Sequence, residues 1–157
     1  MKTWPEFSAL EPDVASAGQA LLYQIGVGLG FLATTRADGG PRLHPMCPLM
    51  TDAGLFAFII PSPKQHDLRR DGRYALHSFP REDNEDAFSC TGKVRLVDDA
   101  RLRSELSAVF VAERMQLAVP APAEEDALFE FLLGSCLLTR TTGHGDTSPV
   151  HRVWRDE

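Results

Sequence analysis

Two basic residues, Arg42 and Lys64, stand where the surrounding sequence predicts a phosphate-binding site. Lys64 follows Ser62 and Pro63, an order typical of a helix start with Ser62 as the N-cap. The start of a helix offers unpaired amides and a partial positive charge that stabilise an anion. Arg42 begins a strand that a hairpin places beside the strand ending at this helix, so both cations can converge on one phosphate. A simple helix cap with two solvated cations explains the same residues equally well.

The segment after Arg42 carries two prolines, Pro45 and Pro48, inside a strand predicted over 42–50. Proline has no N–H to donate to a neighbouring strand, so prolines in sheets lie at edges or bulges. This strand is therefore predicted to have one side that is not fully paired. The open side either protects an edge strand against aggregation or leaves backbone groups free for a ligand.

Histidines and cysteines are the other residues that could do chemistry. His44 and His77 are the candidate catalytic residues, because each lies on a strand that can reach the open side, although either can simply fill space in its strand. The other histidines, His66, His144 and His151, are predicted to be surface residues, and no pair has the spacing of a metal site. The widely spaced cysteines, Cys47, Cys90 and Cys136, are predicted to be small buried apolar residues rather than metal ligands or disulfides.

Short strands with few helices surround these residues, which indicates a mainly β, α+β fold. The clearest strand begins at Phe88, where apolar and polar residues alternate as in a half-buried strand. Strands are predicted at 29–35, 42–50, 55–60, 73–79, 88–96, 136–142 and 150–154, and helices at 5–25, 63–71 and 98–117, with a further helical turn at 127–132 and a capping box between Ser62 and Gln65. Because closure removes exposed edges, we expect an antiparallel barrel, closed or nearly closed.

The length of 157 residues predicts a single domain. Its predicted parts are an N-terminal helical segment at 1–27, a barrel core at 28–97, a helix at 98–117 and closing strands at 134–155.

Composition excludes several classes of partner. The formal net charge of −6 argues against a nucleic-acid partner, which requires a basic face. No stretch approaches the ~20 apolar residues of a membrane helix, and the N-terminus lacks the pattern of a secretory signal. We therefore expect a cytoplasmic protein without a membrane partner.

An ordered set of short motifs resembles the pyridoxamine-phosphate-oxidase-like, FMN-binding split-barrel superfamily. The motifs are Phe31-Leu32-Ala33-Thr34-Thr35-Arg36, Asp38-Gly39, Arg42-Leu43-His44-Pro45, Ser62-Pro63-Lys64, Asp67-Leu68-Arg69-Arg70-Asp71, Tyr74-Ala75-Leu76 and Thr91-Gly92-Lys93-Val94. They cover somewhat under half of the chain. The resemblance implies a split barrel, a homodimer and FMN in a cleft between the subunits.

The same resemblance implies positions for the cofactor-binding residues. Arg42 and Lys64 match the basic positions that bind phosphate, with Ser62 nearby. The flavin ring would lie along Leu43, His44, Pro45 and Met46, and against Ile60 and Pro61. Arg140 and Trp154 are the candidates for the contribution of the partner subunit.

Two departures separate this chain from the vitamin-synthesis enzymes of that superfamily. It has Asp86-Ala87-Phe88 where those enzymes place a glutamine, and it lacks their C-terminal spacing of tryptophan and arginine. The chain looks more like the general-stress and flavin-reductase-like branch, which implies an FMN-dependent oxidoreductase acting on a small-molecule redox partner. A flavin or haem carrier or sensor, a deazaflavin-dependent reductase, and a barrel that serves only as an interaction module are the alternatives.

Overall fold

Eight strands form one antiparallel sheet in the computed structural model, which describes residues 1–157. The strands are β1 (Gly30–Thr35), β2 (Pro41–Met46), β3 (Leu49–Thr51), β4 (Gly54–Ile59), β5 (Arg73–Ser78), β6 (Ala87–Leu96), β7 (Ala127–Arg140) and β8 (Val150–Arg155). Their order in the sheet is β2-β1-β5-β6-β7-β4-β3, and β8 pairs with the second half of β7.

The sheet curls into a barrel that stays open between its two end strands, and the short segment of Cys47 and Pro48, here called the kink, connects them. The two end strands, β2 and β3, are consecutive in the chain and are separated only by Cys47 and Pro48. β2 pairs with β1, whereas β3 pairs with β4, so one chain segment joins both ends of the sheet. The predicted split-barrel fold is confirmed. The single strand predicted over 42–50 was wrong, because the proline at position 48 cannot continue the ladder and the chain changes partner there.

Four α-helices accompany the sheet: α1 (Trp4–Leu10), α2 (Pro12–Leu22), α3 (Pro63–Arg70) and α4 (Ala100–Glu113). A single 3₁₀ turn at Met115–Leu117 follows α4, so the helix predicted over 98–117 is shorter than expected. None of these helices combines the length and the apolar character needed to cross a membrane.

The inner face of the curled sheet carries the main core, which α1 and α2 cover. Phe7 is fully buried there, and Gly18 of α2 lies so close to Phe88 that a Cβ at Gly18 would stand 2.7 Å from the Phe88 ring. On the outer face, α4 covers β3, β4 and the first half of β7 through a second cluster. The rest of the outer face, from β2 across to β8, has no helix over it.

The helical turn predicted at 127–132 was wrong, because these residues begin β7, a strand of 14 residues. The residues from Ala127 to Phe131 are all buried, since the core lies on one side of them and α4 on the other. Burial on both faces removes the alternation that identifies a half-buried strand. The closing strands therefore begin at Ala127 rather than at residue 134.

Candidate functional site

The kink opens the barrel beside β2, whose outer edge has no partner strand. Pro41 and Pro45 face Thr35 and Phe31 of β1 in pairs that cannot exchange two hydrogen bonds, because proline has no N–H. Hydrogen-bonded and non-hydrogen-bonded pairs alternate along an antiparallel ladder. Leu43 stands two residues from each proline, so it also belongs to a non-hydrogen-bonded pair. The N–H of Leu43 therefore points away from β1, toward the open edge. The predicted unpaired side of this strand is confirmed.

Arg42 lies on the inner side of β2, where it is held by a buried carboxylate. Its Nε donates to Oδ2 of Asp67 across 2.7 Å, and Thr34 Oγ1 donates to the same oxygen across 3.0 Å. Nη1 of Arg70 donates to the other oxygen across 3.2 Å. Burial alone would raise the pKa of Asp67, but these hydrogen bonds outweigh it and hold the pKa below its usual value. Arg42 is thus fixed in place, with its charge largely offset by Asp67.

Lys64 is the free cation of the site. It is the second residue of α3, it is partly buried, and no carboxylate lies within 4.0 Å of its amine. Burial lowers its pKa, and Cys47 at the kink lies close enough to oppose that shift. The backbone N–H of Lys64, in the first turn of α3, also has no hydrogen-bond partner, whereas the amides of Gln65 and His66 bond to Ser62. Lys64 and Arg42 share no hydrogen-bond or ion-pair partner in the structure.

Ser62 is the N-cap of α3, as predicted. Its Oγ accepts from the amide of Gln65 at 3.4 Å and donates to the carbonyl of Ile60 at 2.8 Å. The predicted capping box is wrong in its second half: the Gln65 side chain donates instead to the carbonyl of Ile59 at 2.7 Å. This anchors α3 to the end of β4, while Ile60 and Pro61 remain exposed beside the helix start.

The two candidate catalytic histidines lie on opposite faces of the sheet. His44 faces inward with Leu32, its fully buried cross-strand neighbour, and its Nε2 is buried without a hydrogen-bond partner. His77 faces outward beside Phe31, and its Nδ1 lies 2.6 Å from the carbonyl of Ser78. The two rings therefore do not border a common space. Met46 also faces inward and is buried, whereas Leu43 and Pro45 are exposed.

A cavity of about 670 Å³ lies on the uncovered outer face next to His77. Phe31, Leu43 and Ala87 form its apolar part. The rim comes from Ser78 at the end of β5, from His144 and from the loop after β5, whose lining residues are Pro80, Arg81, Asn84, Glu85 and Asp86. A volume of this size suits a cofactor or a small molecule, since ligand pockets span roughly 300–1,000 Å³. Leu43, which has the free N–H, connects this cavity to the open edge of β2.

The two residues expected to serve a partner subunit are both engaged within the chain. Arg140 Nη1 donates to Oδ2 of Asp86 across 2.7 Å. Burial would raise the pKa of Asp86, but this bond and those from Thr141 lower it overall. Trp154 packs on Phe7 with ring centroids 4.9 Å apart. Asp86 lines the outer cavity, so Arg140 reaches the cavity only through this hydrogen bond, and neither Arg140 nor Trp154 lines it.

Sequence reasoning missed Asp67 as a site residue, although it stands three residues after Lys64 and three before Arg70. That spacing places all three on one side of a helix, but only the folded chain shows that the carboxylate binds Arg42. The prediction that every cysteine is buried was right for Cys90 and Cys136 and wrong for Cys47, which is exposed at the kink.

Comparison with solved structures identifies the fold. The chain has the split barrel shared by general stress protein 26 and other proteins of the pyridoxine-phosphate oxidase family, so the fold that the sequence motifs implied is confirmed. General stress protein 26 of Bacillus anthracis aligns with a TM-score of 0.62 at 15% identity, over 89% of this chain and 96% of that chain. A related protein of Clostridium acetobutylicum aligns with a TM-score of 0.60 at 12% identity, over 96% and 95%.

A heme-binding protein of Mycobacterium smegmatis has the same fold, with a TM-score of 0.67 at 12% identity over 89% of this chain. This chain spans 57% of the length of that protein. No model of a protein family matches the sequence, and no curated protein matches it. At these identities the likeness establishes the fold, and the ligand has to be argued from the site.

Proposed function

We propose that this protein binds FMN at the open edge of β2 and uses it as an FMN-dependent oxidoreductase. The observation that carries the proposal is the unpaired Lys64 ammonium at the start of α3, beside a backbone N–H that is also free. A lysine ammonium at a helix start with no carboxylate beside it is free to bind an anion, and a phosphate group can accept from both donors.

The remaining residues fit the rest of FMN. A flavin ring requires a flat apolar surface and a few hydrogen bonds at its polar rim, and the outer cavity offers Phe31, Leu43 and a polar border. The free N–H of Leu43 can donate to the ring. The ring chemistry, transfer of a hydride or of single electrons, belongs to FMN when it is bound.

Arg42 has a secondary role in this proposal. Asp67 holds its guanidinium in one orientation and offsets its charge, so Arg42 contributes a directed N–H rather than a free cation. Lys64 supplies the net positive charge. We therefore expect the affinity for the phosphate to depend more on Lys64 than on Arg42.

We further propose a homodimer that buries the uncovered outer face. A cross-strand row runs over this face through Pro45, Phe31, His77, Ser89, Leu137 and Val153. Several large apolar side chains there are open to solvent, among them Leu43 at 64% exposure and Val153 at 58%. A two-fold pairing of this face would cover them and enclose the outer cavity, which is open in a single chain.

Haem is the alternative ligand, in a carrier or sensor without turnover. The heme-binding protein of Mycobacterium smegmatis supports it through its fold, and His77 and His144 at the outer cavity are possible iron ligands. Haem carries propionate carboxylates but no phosphate, and a helix start with a free N–H beside a lysine suits a phosphate, which is why we favour FMN.

Titration of the purified protein with FMN, riboflavin and haem tests the proposal. FMN is expected to bind more tightly than riboflavin, since only FMN carries the phosphate. Equal affinity for the two flavins would reject the phosphate site at Lys64. Tight binding of haem with no binding of either flavin would establish the carrier alternative.

A further inference from the structure

The carbonyl of Pro48, at the kink, is held by groups from three separate parts of the chain. Nη2 of Arg114, the residue directly after α4, donates to it across 3.3 Å. The hydroxyl of Tyr23, the residue directly after α2, lies 3.5 Å from it. Gly28, shortly before β1, packs directly against it.

Arg114 is only 2% exposed, although it carries a full charge. Its Nη1 donates to Glu113 across 2.9 Å, and its guanidinium lies 4.1 Å from the centroid of the Phe110 ring. Its Nε has no hydrogen-bond partner. A buried ion pair contributes little net stability, because desolvation offsets the attraction. The ion pair with Glu113 instead holds the Arg114 guanidinium in contact with the kink.

The Tyr23 hydroxyl contacts the backbone of both the kink and β3. Its hydroxyl accepts from the N–H of Met50 in β3 across 2.8 Å, and its own proton has acceptors at Pro48 and Glu113, each 3.5 Å away. Burial raises the pKa of Tyr23 to about 12, so the hydroxyl keeps its proton at neutral pH. Tyr23 therefore links the kink to the first residues of β3.

Gly28 leaves no room for the kink to move toward β1. A Cβ at this position would lie 2.0 Å from the Pro48 carbonyl oxygen, a distance that no side chain can adopt. Relief would require the Pro48 backbone to shift. The kink is thus bounded by a close backbone contact on one side and by the Arg114 and Tyr23 hydrogen bonds on the other.

We infer that Arg114, Tyr23 and Gly28 are positioning residues. They fix the direction in which β2 runs into the kink, and with it the distance between the open edge of β2 and Lys64. This inference rests on the proposed FMN site. The Arg42–Asp67 ion pair ties the first half of β2 to α3, and β2 pairs with a strand on one side only, so the kink is the point that fixes its other end. A shift at Pro48 moves the Leu43 N–H relative to Lys64 without touching either residue.

Two substitutions with matched controls test the inference. Tyr23→Phe removes the hydroxyl at the kink, and Tyr74→Phe removes a buried hydroxyl elsewhere, one that donates to Leu132 at 3.3 Å. Gly28→Ala forces the Pro48 contact, whereas Gly134→Ala meets its nearest atom at an ordinary 3.5 Å. The free energy of unfolding is measured for all four variants, so that a change in binding can be separated from general destabilisation.

The first readout needs no cofactor. Cys47 is the exposed cysteine and directly precedes Pro48, so its reaction rate with an aromatic disulfide reagent reports the geometry of the kink. Cys90 stays silent, because burial raises its pKa to about 12, and Cys136 is buried as well. Tyr23→Phe and Gly28→Ala are expected to change the Cys47 rate severalfold, and the two control variants to leave it unchanged.

The second readout is the dissociation constant for FMN. We expect Tyr23→Phe and Gly28→Ala to weaken FMN binding by about tenfold, the loss of roughly one hydrogen bond, and the controls to keep the native affinity. An unchanged Cys47 rate, or the same change in the controls, overturns the inference. An altered Cys47 rate in a protein that never binds FMN supports the role of the kink and rejects the proposed function instead.

Discussion

Arg42 and Asp67 form a hydrogen-bonded ion pair of 2.7 Å, and the carboxylate of this pair is 4% exposed. The buried partner lies in α3, one turn after Lys64, so the pair ties β2 to the helix that begins the phosphate site. Breaking it therefore affects both stability and the placement of the open edge.

A double-mutant cycle measures this pair. Arg42→Ala is expected to lower the free energy of unfolding by about 1.5–3 kcal/mol, the range for a hydrogen bond to a charged group. The variant with both Arg42→Ala and Asp67→Asn should lose much less stability than the sum of the two single losses, with a coupling energy of about 0.5–3 kcal/mol. Arg36→Ala is the control, since the ion pair of Arg36 with Asp38 is exposed on both sides. Additive losses at 42 and 67 would show that the pair does not form in solution.

The stabilisation by Asp67 is also expected to depend on pH. Because hydrogen bonds hold its pKa below the ordinary value of 3.8 in the folded protein, the folded state binds the proton less readily than the unfolded chain. The stabilisation is therefore complete above the unfolded pKa and is lost as the pH falls through the folded pKa. Urea denaturation over a pH series should show the difference between native protein and Asp67→Asn constant near neutrality and shrinking in acid. A difference that grows in acid would contradict this.

The local sequence pattern was sufficient to predict the elements that are half-buried or that have a strong signal for their first residue. The alternation beginning at Phe88 and the Ser62-Pro63 helix start both appear where they were expected. Pattern failed where burial is set by another part of the chain, as at the start of β7, which is buried on both faces. The partners of Arg42 and of Pro48 depend on contacts between distant segments, which no spacing in the sequence encodes.

Dimerisation is tested by placing a charge on the uncovered outer face. Val153→Glu is expected to give monomers in light scattering, because a carboxylate buried without a partner opposes association. Leu117→Glu is the control: its side chain is 58% exposed, as that of Val153 is, but it lies beyond α4. The native protein should be a dimer at micromolar concentration. If the native protein is a monomer, the proposed homodimer is wrong.

His77 is the histidine expected to affect turnover, because it lines the outer cavity while His44 faces inward. His77→Ala should lower kcat with NADH or NADPH by about tenfold with little change in FMN affinity, as expected for loss of one hydrogen bond made in the transition state. Arg101→Ala, at the exposed start of α4 and outside the cavity, should keep the native kcat. If neither nicotinamide reduces bound FMN faster than free FMN, the reductase proposal fails and a carrier role replaces it.

A titration of two lysine variants with two flavins tests whether Lys64 binds the phosphate of FMN. Lys93 is the control, because it is exposed on β6 and far along the chain from α3. Isothermal titration should show that Lys64→Ala weakens FMN by roughly ten- to a hundredfold, whereas Lys93→Ala does not. Riboflavin, which has no phosphate, should bind both variants as it binds the native protein. An equal loss for FMN and riboflavin in Lys64→Ala, or no loss for either, would contradict the account.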